Sequence, residues 1–223
     1  MIQPDTYFPF WNSLTKEQQE ILKSAASEQQ FKKGTLIHGG ASDCVGLLTV
    51  ESGQLRVYTI SQEGKELTLY RLLERDMCLF SASCIMNNIS FDVFVSAEQD
   101  TTVLHIPAEV YKRLMETSLT VSNYTNQLMA SHFSEVMWLM DQILNKKLDS
   151  RLAALLVEER ELGGSDRLLL THEQLGNHLG TVREVVTRML KHFQDEGLVK
   201  LARGSVCLTD LPRLYSLAKD SLK

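Results

Sequence analysis

Residues 171–199 read THEQLGNHLGTVREVVTRMLKHFQDEGLV, and this stretch decides the architecture of the C-terminal part of the chain. Thr171 is a suitable N-cap for a first helix, which ends at Gly180, where the backbone must turn sharply. Apolar residues then recur at helical spacing, and Gly197 can close this second helix with a left-handed cap. The pattern predicts two helices joined by a tight turn, as in DNA-binding helix-turn-helix domains.

The second helix leaves polar side chains on its outer faces. Arg183 and Arg188 can each donate two hydrogen bonds to O6 and N7 of guanine, and Glu184 can accept one from the N4 amine of cytosine. The threonines and the lysine of this segment suit contacts with DNA phosphates, as does an arginine at the turn of the following hairpin. The alternative is an ordinary solvated helix face. The residues predicted to contact DNA are Thr181, Arg183, Glu184, Thr187, Arg188, Lys191 and Arg203.

Upstream, the segment from Phe31 to about Pro107 alternates apolar and polar residues with a period of two, and turn signals recur about every 10 residues. These features predict a small antiparallel barrel. Before it, Thr15 and Gln18 predict a capped short helix that ends near Ala26. The predicted strands are Thr35–Ile37, Gly46–Val50, Gln54–Ile60, Glu66–Leu72, Val93–Ala97 and Thr102–Ile106.

From Pro107 to about Asn145 the pattern becomes helical, and neither Pro nor Gly occurs between Pro107 and Gly163. Apolar residues lie on more than one side of this helix, so it needs more than one neighbour. We expect one face to lie on the barrel and another to pair with the same helix of a second subunit. The alternative is a helix buried within its own domain. The predicted dimer contacts are Val121, Tyr124, Leu128 and Trp138.

Composition describes a folded protein of 223 residues, with 43% hydrophobic residues and a net charge of −5. Residues 1–144 carry 10 basic and 17 acidic residues, whereas residues 145–223 carry 13 and 11, so only the C-terminal part is slightly basic. No apolar run reaches the ~18–20 residues of a membrane span, and no secretory signal is evident. We therefore expect a cytoplasmic protein whose four cysteines form no disulfide framework.

Three stretches carry a resemblance to a known family. Residues 52–58 (SGQLRVY) and 64–72 (GKELTLYRL) are similar to its paired barrel strands, and Gly180 to Arg188 match the pattern Gly-x-x-Arg-Glu-x-Val-x-Arg. The chain resembles the Crp/Fnr family of bacterial transcription regulators. The resemblance implies an α+β fold with a jelly-roll-like antiparallel β-roll that senses an effector (residues 1–110), a long dimerisation helix with a hinge (111–146) and a winged helix-turn-helix that binds DNA (147–223).

The resemblance also implies a homodimer on a palindromic double-stranded operator, contact with RNA polymerase, and control by a small-molecule or redox signal in the β-roll. It implies no enzymatic activity and no defined cofactor, and the effector is unknown. The effector would bias the long helix and thereby the spacing of two DNA-binding heads. The expected effector-binding residues are Leu79, Phe80, Ser81, Ala82, Ser83 and Cys84.

The corresponding stretch differs from a cyclic-AMP cassette, which has Phe-Gly-Glu followed by an Arg-Ser or Arg-Thr pair. Here residues 76–93 read DMCLFSASCIMNNISFDV, and no arginine occurs between Arg75 and Arg113. A buried cyclic phosphate would lack its bidentate cation, so we do not expect cyclic AMP bound in the usual way. Ser81, Ser83 and the loop amides could hold a neutral or weakly acidic ligand.

The sequence also offers residues for signals other than a small ligand. Cys78 and Cys84 allow thiol redox sensing, although the spacing from Cys44 fits no closed metal-ligand pattern and a cluster would need Cys207 as well. A haem sensor would use a histidine as axial ligand. The histidines available for this role are His38, His105 and His132.

Two other function classes remain open. An enzyme would use Cys78 or Cys84 as nucleophile and His105 as base, but the sequence has no nucleophile elbow, Walker loop or paired metal histidines. A ligand-binding module could instead regulate a protein partner, with the C-terminal domain serving assembly. Salt-dependent DNA binding discriminates these classes from the regulator.

Overall fold

A computed structural model describes residues 4–40, 44–81 and 92–222 of the chain. The chain divides into two compact units, one formed by residues 1–60 and 69–136, the other by residues 61–68 and 137–223. Within the described residues, no helix has both the length and the apolar character needed to cross a bilayer. The chain begins with short 3-10 turns at Pro4–Thr6 and Trp11–Ser13.

Helix α1 (Lys16–Ala25) follows these turns. Thr15 caps it by accepting a hydrogen bond of 3.2 Å from the backbone N–H of Gln18, whose side chain accepts one of 3.0 Å from the Thr15 N–H. The predicted capping box is therefore confirmed.

Among the described residues, eight strands form two antiparallel four-stranded sheets in the N-terminal part of the chain. The sheet orders are β1-β8-β3-β6 and β2-β7-β4-β5. Their apolar faces enclose a core whose central strands β3 and β4 are almost wholly buried. The strands are β1 (Ser27–Phe31), β2 (Leu36–Gly39), β3 (Leu47–Ser52), β4 (Leu55–Ile60), β5 (Glu66–Leu72), β6 (Met77–Cys78), β7 (Phe94–Ala97) and β8 (Thr101–Ile106).

Two of these strands were not predicted. Strand β1 reads SEQQF and lies at a sheet edge, where it needs only one partner and no apolar alternation. Strand β6 has only two residues, which is too short for any period to register. The antiparallel β-roll itself is confirmed.

The helical region after the β-roll contains two helices, α2 (Ala108–Thr117) and α3 (Leu119–Asn145). Ser118 separates them with an extended backbone, its N–H donating to the Leu114 carbonyl and its hydroxyl accepting from the Val121 N–H. The boundary between the two units falls inside α3, between Val136 and Met137.

The C-terminal unit is a helix-turn-helix with a three-stranded sheet of order β10-β11-β9. Its core contains the buried run Leu152–Val157 of α4 together with residues of every following helix. This arrangement confirms the α+β class and the winged helix-turn-helix. The elements are α4 (Leu148–Gly163), β9 (Arg167–Leu168), α5 (His172–Leu179), α6 (Arg183–Asp195), β10 (Val199–Ala202), β11 (Ser205–Leu208) and α7 (Leu211–Ala218).

Candidate DNA-binding and effector sites

Helix α5 begins with a capping box and ends in a left-handed glycine. The Thr171 hydroxyl accepts from the Gln174 N–H at 3.1 Å, and the Gln174 side chain accepts from the Thr171 N–H at 2.8 Å. Gly180 has a φ of 70°, and its N–H donates to the Gly176 carbonyl. Because side chains disfavour a positive φ, glycine permits the sharp turn into the next helix. The predicted cap and turn are confirmed.

Two residues that sequence reasoning did not single out position this turn. A Cβ on Gly176 would lie 2.7 Å from the Thr181 carbonyl oxygen, so only glycine lets the two backbones approach this closely. The Arg151 guanidinium of α4 donates a hydrogen bond of 2.8 Å to the Leu179 carbonyl at the end of α5. Burial lowers the pKa of Arg151. A glycine inside an amphipathic helix was the signal available for Gly176.

Helix α6 buries one side and exposes the other. Val186, Leu190 and Phe193 have at most 2% of their surface exposed. The helix ends in a Schellman motif, in which Gly197 has a φ of 73° and the Leu198 N–H donates to the Phe193 carbonyl at 2.8 Å. These contacts hold the orientation of α6, so its polar residues must face outward.

Five of the seven predicted DNA-contacting residues are exposed and carry charge. Throughout residues 4–40, 44–81 and 92–222, none of them forms an ion pair or a side-chain hydrogen bond. One lies beside Gly204 at the turn of the β10–β11 hairpin, and the other four lie on α6. These residues are Arg183, Glu184, Arg188, Lys191 and Arg203.

The two predicted threonines are less available. The Thr187 hydroxyl donates to the Arg183 carbonyl at 2.8 Å and lies 2.9 Å from Nδ1 of His172. Burial, followed by the nearby Arg183 charge, lowers the pKa of His172. The neutral ring therefore donates from Nδ1 to Thr187, which ties the first turn of α6 to α5. Thr181 is half-buried at the turn.

The predicted effector stretch is described only as far as Ser81. Leu79 and Ser81 are buried, and the Ser81 hydroxyl donates to the Cys78 carbonyl at 2.9 Å. The Ser81 carbonyl accepts from two backbone N–H groups of the Val45–Gly46 segment. The Ser81 side chain is thus already engaged within the protein. Phe80 is half-buried beside the β-roll core, and Ala82, Ser83 and Cys84 lie outside the described residues.

Of the predicted nucleophile–base pairs, only Cys78 with His105 lies in the described residues, and these two side chains are not paired. Cys78 is fully buried, and burial raises its pKa. His105 contacts the Val45 carbonyl through Nε2 at 2.7 Å and the Ser27 hydroxyl through Nδ1 at 3.2 Å. Strand β3 separates the two, because Leu48 pairs with Cys78 on one side and with His105 on the other. The predicted use of Cys78 as a nucleophile or thiol sensor therefore lacks an accessible thiolate.

The two other described cysteines differ in oxidation state. Cys44 is disulfide-bonded, whereas Cys207 carries a free thiol. His38 is 1% exposed, and His132 contacts Glu135 through Nδ1 at 3.0 Å. In the described part of the chain, no three His, Cys, Asp or Glu side chains are grouped so as to hold a metal ion.

Three of the four predicted dimer contacts on α3 pack against the core of the N-terminal unit. Val121 is fully buried, and Tyr124 and Leu128 pack against the same core cluster. For Val121 the prediction needs correction, because a fully buried side chain leaves no surface for a second subunit. Trp138 is half-buried. Another face of α3 exposes large apolar side chains, namely Phe133 (67% exposed), Met137 (41%), Met140 (48%) and Leu144 (70%).

Comparisons with known proteins agree with this architecture. Residues 28–118 match the cyclic nucleotide-binding domain and residues 150–217 the Crp-like helix-turn-helix domain. The chain is 26% identical to the transcriptional activator protein Anr of Pseudomonas aeruginosa, covering 95% of this chain and 88% of that protein. It is 24% identical to the cyclic AMP receptor protein of Thermus thermophilus, covering 94% and 96%.

The solved structure of a Crp/Fnr family protein from Eubacterium rectale is more similar. It shares 54% identity with this chain, a TM-score of 0.94, and coverage of 96% of this chain and 99% of that one. Such identity over almost the whole of both chains establishes the family. With its cyclic-nucleotide-binding-like domain and its helix-turn-helix, the chain belongs to the Crp/Fnr family of transcription regulators.

Proposed function

We propose that two copies of this chain bind a palindromic operator in the cytoplasm, each inserting α6 into a major groove. The observation that carries the proposal is the exposed set Arg183, Glu184 and Arg188, whose charges have no partner in the described residues. A helix held by a buried apolar side and presenting free charges on the other is what groove reading requires.

Each exposed group has a role that its chemistry suits. Arg183 and Arg188 would each bind guanine O6 and N7, and Glu184 would accept from the cytosine amine. Lys191 and the wing residue Arg203 would contact phosphates, which position the head without reading sequence. Thr187 would act indirectly, because its hydroxyl already links α6 to His172.

The start of α6 supports a phosphate contact. Its N-cap is Val182, 38% exposed, whose side chain cannot accept a hydrogen bond from the first turn. Arg183 and Glu184 therefore present backbone N–H groups that no capping side chain satisfies. A DNA phosphate at this helix end would accept from them and gain from the helix dipole.

The exposed apolar face of α3 supports a dimer. Phe133, Met137, Met140 and Leu144 follow one another at intervals of 4, 3 and 4 residues, the spacing of a coiled-coil seam. Pairing this seam with the same helix of a second chain would remove these side chains from water. The two heads would then meet half-sites about 34 Å apart. Contact with RNA polymerase belongs to the same proposal.

The N-terminal unit would supply the control. A small effector in the β-roll would favour one arrangement of the two heads over another, which requires different affinity for the two states. Cyclic AMP in the usual pose remains unexpected, since the sequence from 76 to 112 has no arginine.

Operator selection from random duplex DNA tests the proposal. We expect a palindromic site, and we expect Arg183→Ala and Arg188→Ala each to lose about 1–3 kcal/mol of discrimination at one base pair per half-site. Arg160→Ala is the matched control, because this arginine is paired with Asp166 at 2.6 Å. Selection of no site, or unchanged base preference in both α6 variants, would favour the protein-partner alternative.

The disulfide of Cys44 supports a second candidate for the signal, namely redox state. A dithiol would reduce it by transferring two electrons and two protons, leaving two cysteine thiols and an oxidised dithiol. Peptide mapping of the unreduced protein would identify the cysteine bonded to Cys44. A redox signal predicts that dithiothreitol and Cys44→Ser change operator affinity in the same direction. Equal affinities for the untreated protein, the reduced protein and the variant would exclude this signal.

A further inference from the structure

A tyrosine of strand β5 and a histidine of α3 form a buried aromatic pair. The rings of Tyr70 and His132 stack with their centroids 4.3 Å apart and their planes 6° from parallel. Tyr70 is 7% exposed and His132 is 9% exposed. Both belong to the N-terminal unit, where β5 lines the β-roll core.

Each ring carries a polar atom without a hydrogen-bond partner in the part of the chain that the structure describes. These atoms are Tyr70 Oη and His132 Nε2. A buried polar atom with no partner loses its hydrogen bonds to water without replacing them, and such atoms are uncommon in folded proteins. Two such atoms on one aromatic stack therefore indicate that a further group binds there.

The hydrogen-bonding character of both atoms follows from their surroundings. His132 Nδ1 lies 3.0 Å from a Glu135 carboxylate oxygen, which can only accept, so Nδ1 carries the hydrogen. In the tautomer with its hydrogen on Nδ1, the other ring nitrogen, Nε2, is the acceptor. Burial raises the pKa of Tyr70 well above its ordinary value, so its hydroxyl stays neutral and can donate or accept. The stacked pair thus carries one acceptor and one hydroxyl.

The described neighbouring groups disfavour an anionic ligand at this position. Phe80 lies with its ring centroid 6.3 Å from that of Tyr70, and fully buried Cys78 also belongs to the surrounding core cluster. Among the described residues, no lysine or arginine contacts either ring, while the Glu135 carboxylate adjoins His132. A phosphate here would meet the Glu135 carboxylate and, among the described residues, no lysine or arginine to bind it.

We propose that Tyr70 Oη and His132 Nε2 together bind a small uncharged effector that presents a hydrogen-bond donor beside an acceptor, as an alcohol, phenol or amide does. The donor would bind Nε2, and the acceptor would receive the Tyr70 hydroxyl hydrogen. This inference rests on the proposed function, in that the N-terminal unit is the sensor. It places the polar contacts of the ligand on β5 and α3, outside the Leu79–Cys84 stretch.

The first measurement is thermal unfolding of the full chain without ligand. Tyr70→Phe removes a hydroxyl that has no partner, so we expect an unchanged or higher Tm. Tyr111→Phe is the matched control, because the fully buried Tyr111 hydroxyl is 2.7 Å from the Thr125 hydroxyl and its removal should lower Tm. If Tyr70→Phe lowers Tm as much as Tyr111→Phe does, the Tyr70 hydroxyl has a hydrogen-bond partner and the proposal loses its premise.

The second measurement is saturation-transfer NMR with benzyl alcohol, phenol and benzamide as probes and with benzoate and cyclic AMP as charged comparators. We expect at least one neutral probe to bind the full chain, and to bind about three- to tenfold more weakly to Tyr70→Phe and to His132→Phe. Tyr111→Phe should bind it as the unchanged chain does. Binding by none of the neutral probes, binding to both variants as strong as to the unchanged chain, or preference for the charged comparators would overturn the proposal.

Operator binding separates this inference from the proposed function. Tyr70→Phe leaves α6 untouched, and we expect its operator affinity without ligand to equal that of the unchanged chain. Loss of base discrimination in Arg183→Ala together with failed probe binding would reject the effector inference alone. Failure of operator binding with intact probe binding would reject the DNA-binding proposal alone.

Discussion

The Arg151 guanidinium donates a hydrogen bond of 2.8 Å to the carbonyl of Leu179, so the first core helix of the C-terminal unit satisfies the end of α5. Arg151→Ala leaves this carbonyl without its charged donor. We expect about 1–2 kcal/mol less stability for α5, since the arginine is only partly buried. Native-state hydrogen exchange of the α5 amides measures this loss of stability. Arg203→Ala, an exposed arginine, should leave protection unchanged, and equal protection in Arg151→Ala would contradict the prediction.

Gly176 and Gly163 form a matched pair of helical glycines. A Cβ at Gly176 would lie 2.7 Å from a backbone oxygen, whereas a Cβ at Gly163 meets no atom within 4 Å. We expect Gly176→Ala to destabilise the C-terminal unit by about 1–3 kcal/mol through overpacking. Gly163→Ala should stabilise it by up to about 1 kcal/mol through helix propensity. Amide exchange in α5 and α6 provides the comparison, and similar values for the two variants would show that the turn tolerates a side chain.

The exposed seam of α3 predicts the oligomeric state. Phe133→Asp would bury a charge from each subunit, and we expect the dimer dissociation constant to rise by roughly 100-fold. Ser131→Asp is the control, because Ser131 is exposed on α3 away from the 133–137–140–144 seam. Sedimentation velocity over a range of protein concentrations measures both. A dimer of undiminished strength in Phe133→Asp would place the interface elsewhere.

The free thiols should differ in reactivity. Burial raises the pKa of Cys78, so at pH 8 less of it is thiolate than in an exposed cysteine, and the fully buried sulfur is also inaccessible. We expect iodoacetamide to modify the partly exposed Cys207 at least about 100-fold faster. Mass spectrometry after timed quenching gives both rates, and unfolding in urea should abolish the difference. Equal rates in the folded chain would restore Cys78 as a candidate thiol sensor.

Salt dependence distinguishes phosphate contacts from base contacts. Each lysine that neutralises one phosphate contributes about 0.9 to the slope of log affinity against log salt concentration. Lys191→Ala should therefore lower the magnitude of this slope by about 1.8 in a dimer, with little change in base preference. Fluorescence anisotropy with the selected operator at several salt concentrations measures the slope. The same slope in Lys191→Ala would remove this lysine from the phosphate contacts.

The fold was predictable wherever a local pattern is sufficient. Thr171, Gly180 and Gly197 mark the helix ends in the C-terminal unit because capping and positive φ are properties of single residues and their neighbours. Alternation with a period of two predicted the β-roll because it too is a local pattern. Strand β1 was not predicted, because its polar sequence has no apolar alternation and forms a strand only by pairing with the edge of β8.

The site was predictable in part. The charges of α6 were identified because helical periodicity separates its buried side from its exposed side. The apolar side of α3 that packs inward was not identified, because α3 has apolar residues on two sides and packing decides which of them meets the β-roll. Val121 faces its own core while Phe133 faces outward, a distinction that spacing alone does not contain.

The sequence by itself determined the helix ends in the C-terminal unit, the turn between α5 and α6, and the absence of the arginine that a cyclic phosphate needs. These depend on residue type and spacing within a few positions. Only the tertiary structure decided that Arg151 satisfies the end of α5, that Gly176 permits a backbone contact, and that Tyr70 stacks on His132. Those pairings join elements distant in sequence, so long-range packing sets them and no local pattern reports them.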